Sequence, residues 1–183
     1  MSASRGPLVI VGVGNVLRRD DGVGVHVVRE IRRLADRGEA ALPLGTDLVD
    51  GGMLGLGLAP VVASARALVI VDAADIAGPA GTVAVVDGDA VRSRGSRPAP
   101  GPSDGVGELV DAARLTGTLP SAFSLVCIRP ADTSPGTDLS GPVRAALGAA
   151  VVATLHEARR LDARTAPGGF AGPDSRELVG ASA

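Results

Sequence analysis

Val9-Ile10-Val11-Gly12-Val13-Gly14-Asn15-Val16-Leu17-Arg18-Arg19-Asp20-Asp21-Gly22-Val23-Gly24-Val25 decides how the rest of the chain is read. A β-branched apolar run that breaks at Gly-x-Gly-Asn predicts a buried central strand delivering a polar loop to the carboxyl edge of a sheet. Open α/β folds place their sites at that edge. The loop carries two adjacent carboxylates, Asp20 and Asp21, and then opens into a helix. On that helix Val23, Val27, Val28, Ile31 and Leu34 share one face, with Arg29, Arg32, Arg33 and Arg37 mostly outside it. Carboxylates at a helix start satisfy amides and suit the dipole, and Asp20 in particular reads as a cap.

Outward from this stretch the chain alternates strands and helices. Thr46 to Asp50 predicts a second strand, closed by Gly51-Gly52, and Met53 to Ala65 has helical spacing weakened by Gly55, Gly57 and Pro60. Ala67 to Asp72 is a third strand, apolar until its last residue, so that Asp72 emerges beside the first loop if the two strands are parallel. Asp75 to Gly81 is too short for a helical crossover, which predicts that Thr82 to Val86 returns antiparallel beside the third strand. A loop rich in Gly, Pro, Ser and Arg runs from Asp87 to Asp104, followed by a helix from Gly105 to Leu115, a strand from Phe123 to Ile128 and a long helix from Ser140 to Leu161. The expected fold class is α/β, a three-layer α/β/α sandwich with a mixed, mostly parallel sheet of about five strands. Residues 1–161 form one domain in this reading, and 162–183 form a flexible tail.

Composition excludes several function classes. In 183 residues every basic side chain is Arg, the net charge is −2 and the only aromatics are Phe123 and Phe170. There is thus neither a basic stripe nor a stacking platform for nucleic acid. Cys127 is the only cysteine and sits in an apolar strand, which excludes a disulfide within the chain and a cysteine zinc site and predicts a buried, inert thiol. No apolar segment approaches the roughly 18 residues of a membrane span, and the expected location is cytoplasmic.

The glycine turn invites a dinucleotide reading, but Leu17 occupies the sixth position of the fingerprint, where it would hold the helix away from the strand. Two carboxylates in the turn would also repel a pyrophosphate. Neither a Gly-x4-Gly-Lys loop nor a Gly-x-Ser-x-Gly elbow is present, and His26 and His156 have no evident Ser or Cys partner. His156, beside Glu157 and Arg159, reads as solvated or locally paired. What remains is a set of carboxylates. Asp21 and Asp72, with Asp20 and Asp50 as supporting acids, are predicted to converge on one edge, where Gly12, Gly14, Asn15, Gly22 and Gly24 shape the loop. Such an edge supports oxygen ligation of a polarising metal, or a carboxylate acting as base toward water.

Gly12-Val-Gly-Asn-Val-Leu-Arg-Arg-Asp-Asp-Gly-Val-Gly, Val49-Asp50-Gly51-Gly52, Val69-Ile70-Val71-Asp72-Ala73 and Leu115-Thr116-Gly117-Thr118-Leu119-Pro120 occur in this order and at these spacings. Together they closely resemble the maturation endopeptidases of nickel-iron hydrogenases, from about Leu8 to Leu161. The resemblance implies an endopeptidase that removes a C-terminal extension from the hydrogenase large-subunit precursor after nickel insertion. It also implies that no cofactor is permanently bound, the nickel being carried by the substrate and recognised there. The family's metal-contacting acids fall by motif on Asp21 and Asp72, the residues expected to carry catalysis. Its third contact, a His before the helix ending at the Thr-Gly turn, has no counterpart, because that region reads Ala99-Pro100-Gly101-Pro102-Ser103-Asp104-Gly105. Asp104 is the nearest side chain able to replace it, Ser103 could hold a water, and His26 is a weaker candidate. The alternative reading is a non-catalytic member that binds the precursor.

Overall fold

The structure is a computed structural model and describes residues 6–93 and 104–165. Its elements in chain order are β1 (Leu8–Val13), α1 (Val23–Asp36), β2 (Thr46–Gly52), α2 (Ala59–Ser64), β3 (Ala67–Ala73), β4 (Val83–Asp87), α3 (Gly88–Ser93), α4 (Asp104–Leu115), β5 (Ala122–Ile128) and α5 (Gly141–Thr165). All six residues of β1 are buried, and their alternation sorts the core into two layers. Leu8 and Ile10 pack with Val27 and Ile31 of α1 and with Val151 and Leu155 of α5. Val9, Val11 and Val13 pack on the other face with Val62 of α2 and Leu109 of α4. Helices on both faces of one sheet make the predicted three-layer α/β/α sandwich.

The five strands lie in the order β2-β1-β3-β5-β4, with all neighbours parallel except β4, which runs antiparallel to β5. This corrects the expected place of β4, which does not pair with β3. The nine-residue link between Ala73 and Val83 that is too short for a helical crossover is long enough to step over one strand position, about 5 Å wide. β5 then fills that position because all seven of its residues are buried, whereas β4 is only half-buried and suits an edge. The chain goes from β1 outward to β2 and then back across β1 to β3, so the sheet order reverses between β1 and β3. Ligands of open α/β sheets bind at the carboxyl ends of strands flanking such a point.

Helix limits differ from the spacing-based reading where glycine intervenes. The segment read as one helix from Met53 to Ala65 is a 3-10 turn at Gly55–Leu58 followed by the six-residue α2. The long loop expected from Asp87 to Asp104 contains α3, and its residues 94–103 lie outside the described residues. α5 runs four residues beyond Leu161, held by Arg66, which donates to Asp162 and Thr165 at 2.6 Å each. The remainder of the expected tail, 166–183, lies outside the described residues.

Under α5 lies a polar network far from the carboxyl edge of β5. Ser124, fully buried, donates to Glu157 at 2.8 Å, and Arg160 donates to Glu157, to Ser124 and to Asp87 at the end of β4. Burial alone would raise the carboxyls of Glu157 and Asp87, but Arg160 with Ser124, and the Asp89 amide with Arg160, outweigh it and hold both below the usual range. A carboxyl with a depressed folded-state pKa contributes stability above its unfolded value and loses it as pH falls through the folded one. The expected result is a denaturation midpoint flat near neutrality that declines below about pH 5, measured by urea titration across pH. A Glu157→Gln variant should show a shallower decline.

Candidate active site

The loop-shaping glycines act by removing side-chain volume where the first helix lands on the sheet. A Cβ on Gly12 would lie 2.1 Å from the carbonyl oxygen of Gly24. One on Gly24 would lie 2.1 Å from that of Val71 and 2.5 Å from that of Val13. α1 therefore starts in direct backbone contact with β1 and β3. Leu17 does not hold the helix away as the fingerprint comparison predicts, because the helix begins later and Gly24 provides the close approach. Leu17 instead stands 65% exposed in the loop. Gly14 has φ +119°, and a side chain there would meet the Asp21 carbonyl at 1.8 Å. Gly24→Ala should cost about 3 kcal/mol, read as a lowered melting temperature. Gly148→Ala, on the open surface of α5 with nothing within 4 Å, should raise stability by about 0.7 kcal/mol.

Asp21 closes the turn it follows. Its Oδ2 accepts the Asn15 amide at 3.0 Å, and the Asn15 Oδ1 accepts the Leu17 amide at 2.9 Å. The carboxylate lines a cleft of about 270 Å³ at the carboxyl edge of β1, together with Asn15 and Arg18 from the loop, Gly52 at the end of β2 and Met53 after it. Leu58 before α2 and Val106 and Leu109 of α4 form its apolar wall. Asp72, 1% exposed, lies near the end of β3 and belongs by alternation to the same sheet face as Leu68 and Ile70, the face covered by α2 and α4. It stands opposite Cys127 of β5 in the parallel register. Burial, and then the negative charge of Asp72, push the Cys127 thiol up to about 12, so the expected inert thiol is found.

The supporting acids are placed differently from the expectation. Asp20 does not cap α1, whose N-terminus has no side-chain cap. It is fully buried and accepts four hydrogen bonds from the segment before α5: the amides of Ala131 and Asp132 at 2.9 Å, and the Ser140 amide and hydroxyl at 2.7 Å. Burial would raise its carboxyl, but these bonds outweigh burial and hold it low. Asp50 ends up on the α1 face of the sheet, where Arg29 donates to it at 2.9 and 3.1 Å. Its alternation with Leu48, which packs in the α1 layer, sends it away from the Asp72 face. Asp20 and Asp50 thus do not converge with Asp72.

His26 lies on α1 near Arg29 and Asp50, not in the cleft lining; burial, then Arg29, depress its pKa against the opposing effect of Asp50, leaving the ring neutral at pH 7. His156 is 75% exposed and 3.4 Å from Glu157, the expected local pair. Asp104 is the first residue of α4, two positions before Val106 of the cleft wall; its side chain and Ser103 lie outside the described residues. Among the described residues no three His, Cys, Asp or Glu side chains cluster as a metal site. Sequence reasoning missed Arg18 as a cleft residue and Ser140 as the partner of Asp20. The Arg pair beside the two acids was the available signal for the first, and nothing local signals the second.

Comparison with known proteins bears on this arrangement. The profile of the hydrogenase maturation protease family (HycI) matches residues 25–157. The chain is 32% identical over 154 residues to the hydrogenase expression/formation protein HupD of Rhodobacter capsulatus, covering 84% of this chain and 70% of that protein. It is 34% identical over 177 residues to HoxM of Cupriavidus necator, covering 96% and 83%. The hydrogenase maturating endopeptidase HybD of Escherichia coli has the same fold, with a TM-score of 0.70 and 26% identity over 84% of this chain and 93% of that one. The motif order read from the sequence, the sandwich and these likenesses agree: the chain belongs to the hydrogenase maturation protease family, whose members are endopeptidases.

Proposed function

We propose that this protein cleaves the C-terminal extension from a nickel-iron hydrogenase large-subunit precursor once nickel is in place, with Asp21 and Asp72 engaging the substrate's metal and positioning the attacking water. The observation that carries the reading is the place of Asp21. It lines the cleft at the carboxyl edge beside the reversal of strand order, with one oxygen fixed by the Asn15 amide. A carboxylate of fixed orientation can serve as a hard oxygen ligand or accept a proton from water. Asp72 is the penultimate residue of the neighbouring strand, on the sheet face that α4 covers. The apolar wall of Leu58, Val106 and Leu109 limits water at the site and suits a peptide side chain.

In this account the metal arrives with the substrate, and the protein keeps none of its own. Asp104, at the start of α4, takes the third contact in place of the absent imidazole. Asp104→Ala should then weaken nickel-dependent processing, and unchanged processing would remove Asp104 from the account. No helix among the described residues is long and apolar enough to cross a membrane, and a cytoplasmic setting belongs to the same proposal. The test of metal direction is a paired incubation of nickel-loaded and nickel-free precursor, followed by gel mobility of the large subunit. Only the loaded form should be shortened. Equal cleavage of both would overturn the role of the substrate's metal.

A further inference from the structure

Arg18 lines the cleft beside Asp21, and among the described lining residues it is the basic one. Its flanks are fixed. The Arg19 amide donates to the Gly136 carbonyl and the Gly136 amide to the Leu17 carbonyl, each at 2.9 Å. Its Nε donates to the Thr133 carbonyl at 3.0 Å. Thr133 belongs to the segment from Ala131 to Ser140 whose two ends Asp20 holds with its four hydrogen bonds. An otherwise flexible side chain is thereby tethered through one N–H of its guanidinium, while its two terminal nitrogens make no hydrogen bond within the described residues. Two side chains with large exposed apolar surface accompany this cation, Leu17 at 65% as its chain neighbour and Met53 at 74% in the same cleft lining. A guanidinium fork held in place, open to solvent and rimmed by apolar surface, has the chemistry of a carboxylate receptor with an apolar neighbour.

We infer that Arg18 reads a carboxylate on the peptide segment that enters the cleft, next to an apolar side chain seated against Met53. The inference rests on the reading of the cleft as a peptide site. It adds a specificity residue that acts on charge, apart from the two acids assigned to the metal. The carboxylate is either an Asp or Glu side chain of the segment or the free end of the chain, and Arg18 meets both with the same bidentate geometry. Asp20 is the positioning residue behind it. Its buried carboxylate acts on the cleft only through the loop that anchors the guanidinium.

The test uses the full chain, labelled with nitrogen-15 and titrated with short blocked peptides while amide shifts are followed. The probes are acetyl-Ala-Val-Ala-Asp-Ala-amide, its Asn and Lys counterparts, and acetyl-Ala-Val-Ala with a free or an amidated end. Either carboxylate probe should bind about fivefold tighter than its neutral partner, with shifts at Leu17, Arg18 and Met53 and with a preference that shrinks as salt is added. Whichever pair shows the difference identifies the source of the carboxylate. Arg18→Gln should erase the preference, and Arg18→Glu should invert it between the Asp and Lys probes, an inversion that a purely structural Arg18 would not produce. Equal affinity of carboxylate and neutral probes, a preference that survives Arg18→Gln, or no binding of any probe would overturn the inference. The probes carry no metal and need not be cut, so the outcome is readable even if the precursor is not processed.

Discussion

Asp21→Asn and Asp72→Asn are each expected to abolish shortening of the nickel-loaded precursor, a loss of about a thousandfold or more, with both variants remaining folded. The substitution keeps an oxygen at Asp21 to accept the Asn15 amide, so the turn that orients it survives, and the change in stability should stay within about 1 kcal/mol. At Asp72 the exchange preserves volume in a site 1% exposed. It also removes the negative charge opposite Cys127, so the thiol should titrate lower than in the parent. Single-turnover processing with intact mass as readout, paired with thermal melts, separates lost chemistry from lost structure. Processing by Asp21→Asn at a rate within a few-fold of the parent would remove that carboxylate from the reaction.

The largest effect on stability should come from Asp20→Ala, about 4 kcal/mol. The variant removes a carboxylate that is itself fully buried and leaves the part-buried amides of Ala131, Asp132 and Ser140 without the group that satisfies them. Hydrogen bonds to a charged acceptor are stronger than neutral ones, and buried donors left unpaired carry the full desolvation penalty. Asp20→Asn should cost less, since one carbonyl oxygen can still accept from the loop. Urea denaturation at pH 7 measures both, and a loss under about 1 kcal/mol for the alanine variant would contradict the clamp. Two neighbouring carboxylates thus divide the work. One holds the molecule together across more than a hundred residues, and the other faces the cleft.

That division marks what could be read from the sequence. The β1 run, the glycine turn and the apolar stripe of α1 were legible because each is a local period or a backbone requirement. The helix that covers β1 on the other face was legible from the spacing of Val106, Leu109 and Val110. The partner of Asp20 was not legible, because its donors lie 111 to 120 positions downstream and nothing near Asp20 encodes them. Asp50 was misplaced for a related reason. Its strand was recognised, but the face it points to follows from the register with β1, in which Asp50 pairs with Gly12. The position of β4 failed on a degeneracy of geometry. A short link fixes that a strand returns antiparallel and leaves open whether it pairs at once or steps over a gap that a later strand fills. Leu17 carries less weight than the dinucleotide fingerprint gives it, because the fingerprint puts its close approach at the sixth position, counting the first glycine as one, whereas this fold puts it at Gly24.

The intact mass of a nickel-loaded large-subunit precursor after incubation with the purified protein tests the central claim most directly. The account predicts a single mass loss equal to one C-terminal peptide, recovered in the same sample, and no loss with Asp21→Asn. An unchanged mass from a precursor that nonetheless co-purifies with the protein would contradict it and identify a binding partner in place of a peptidase.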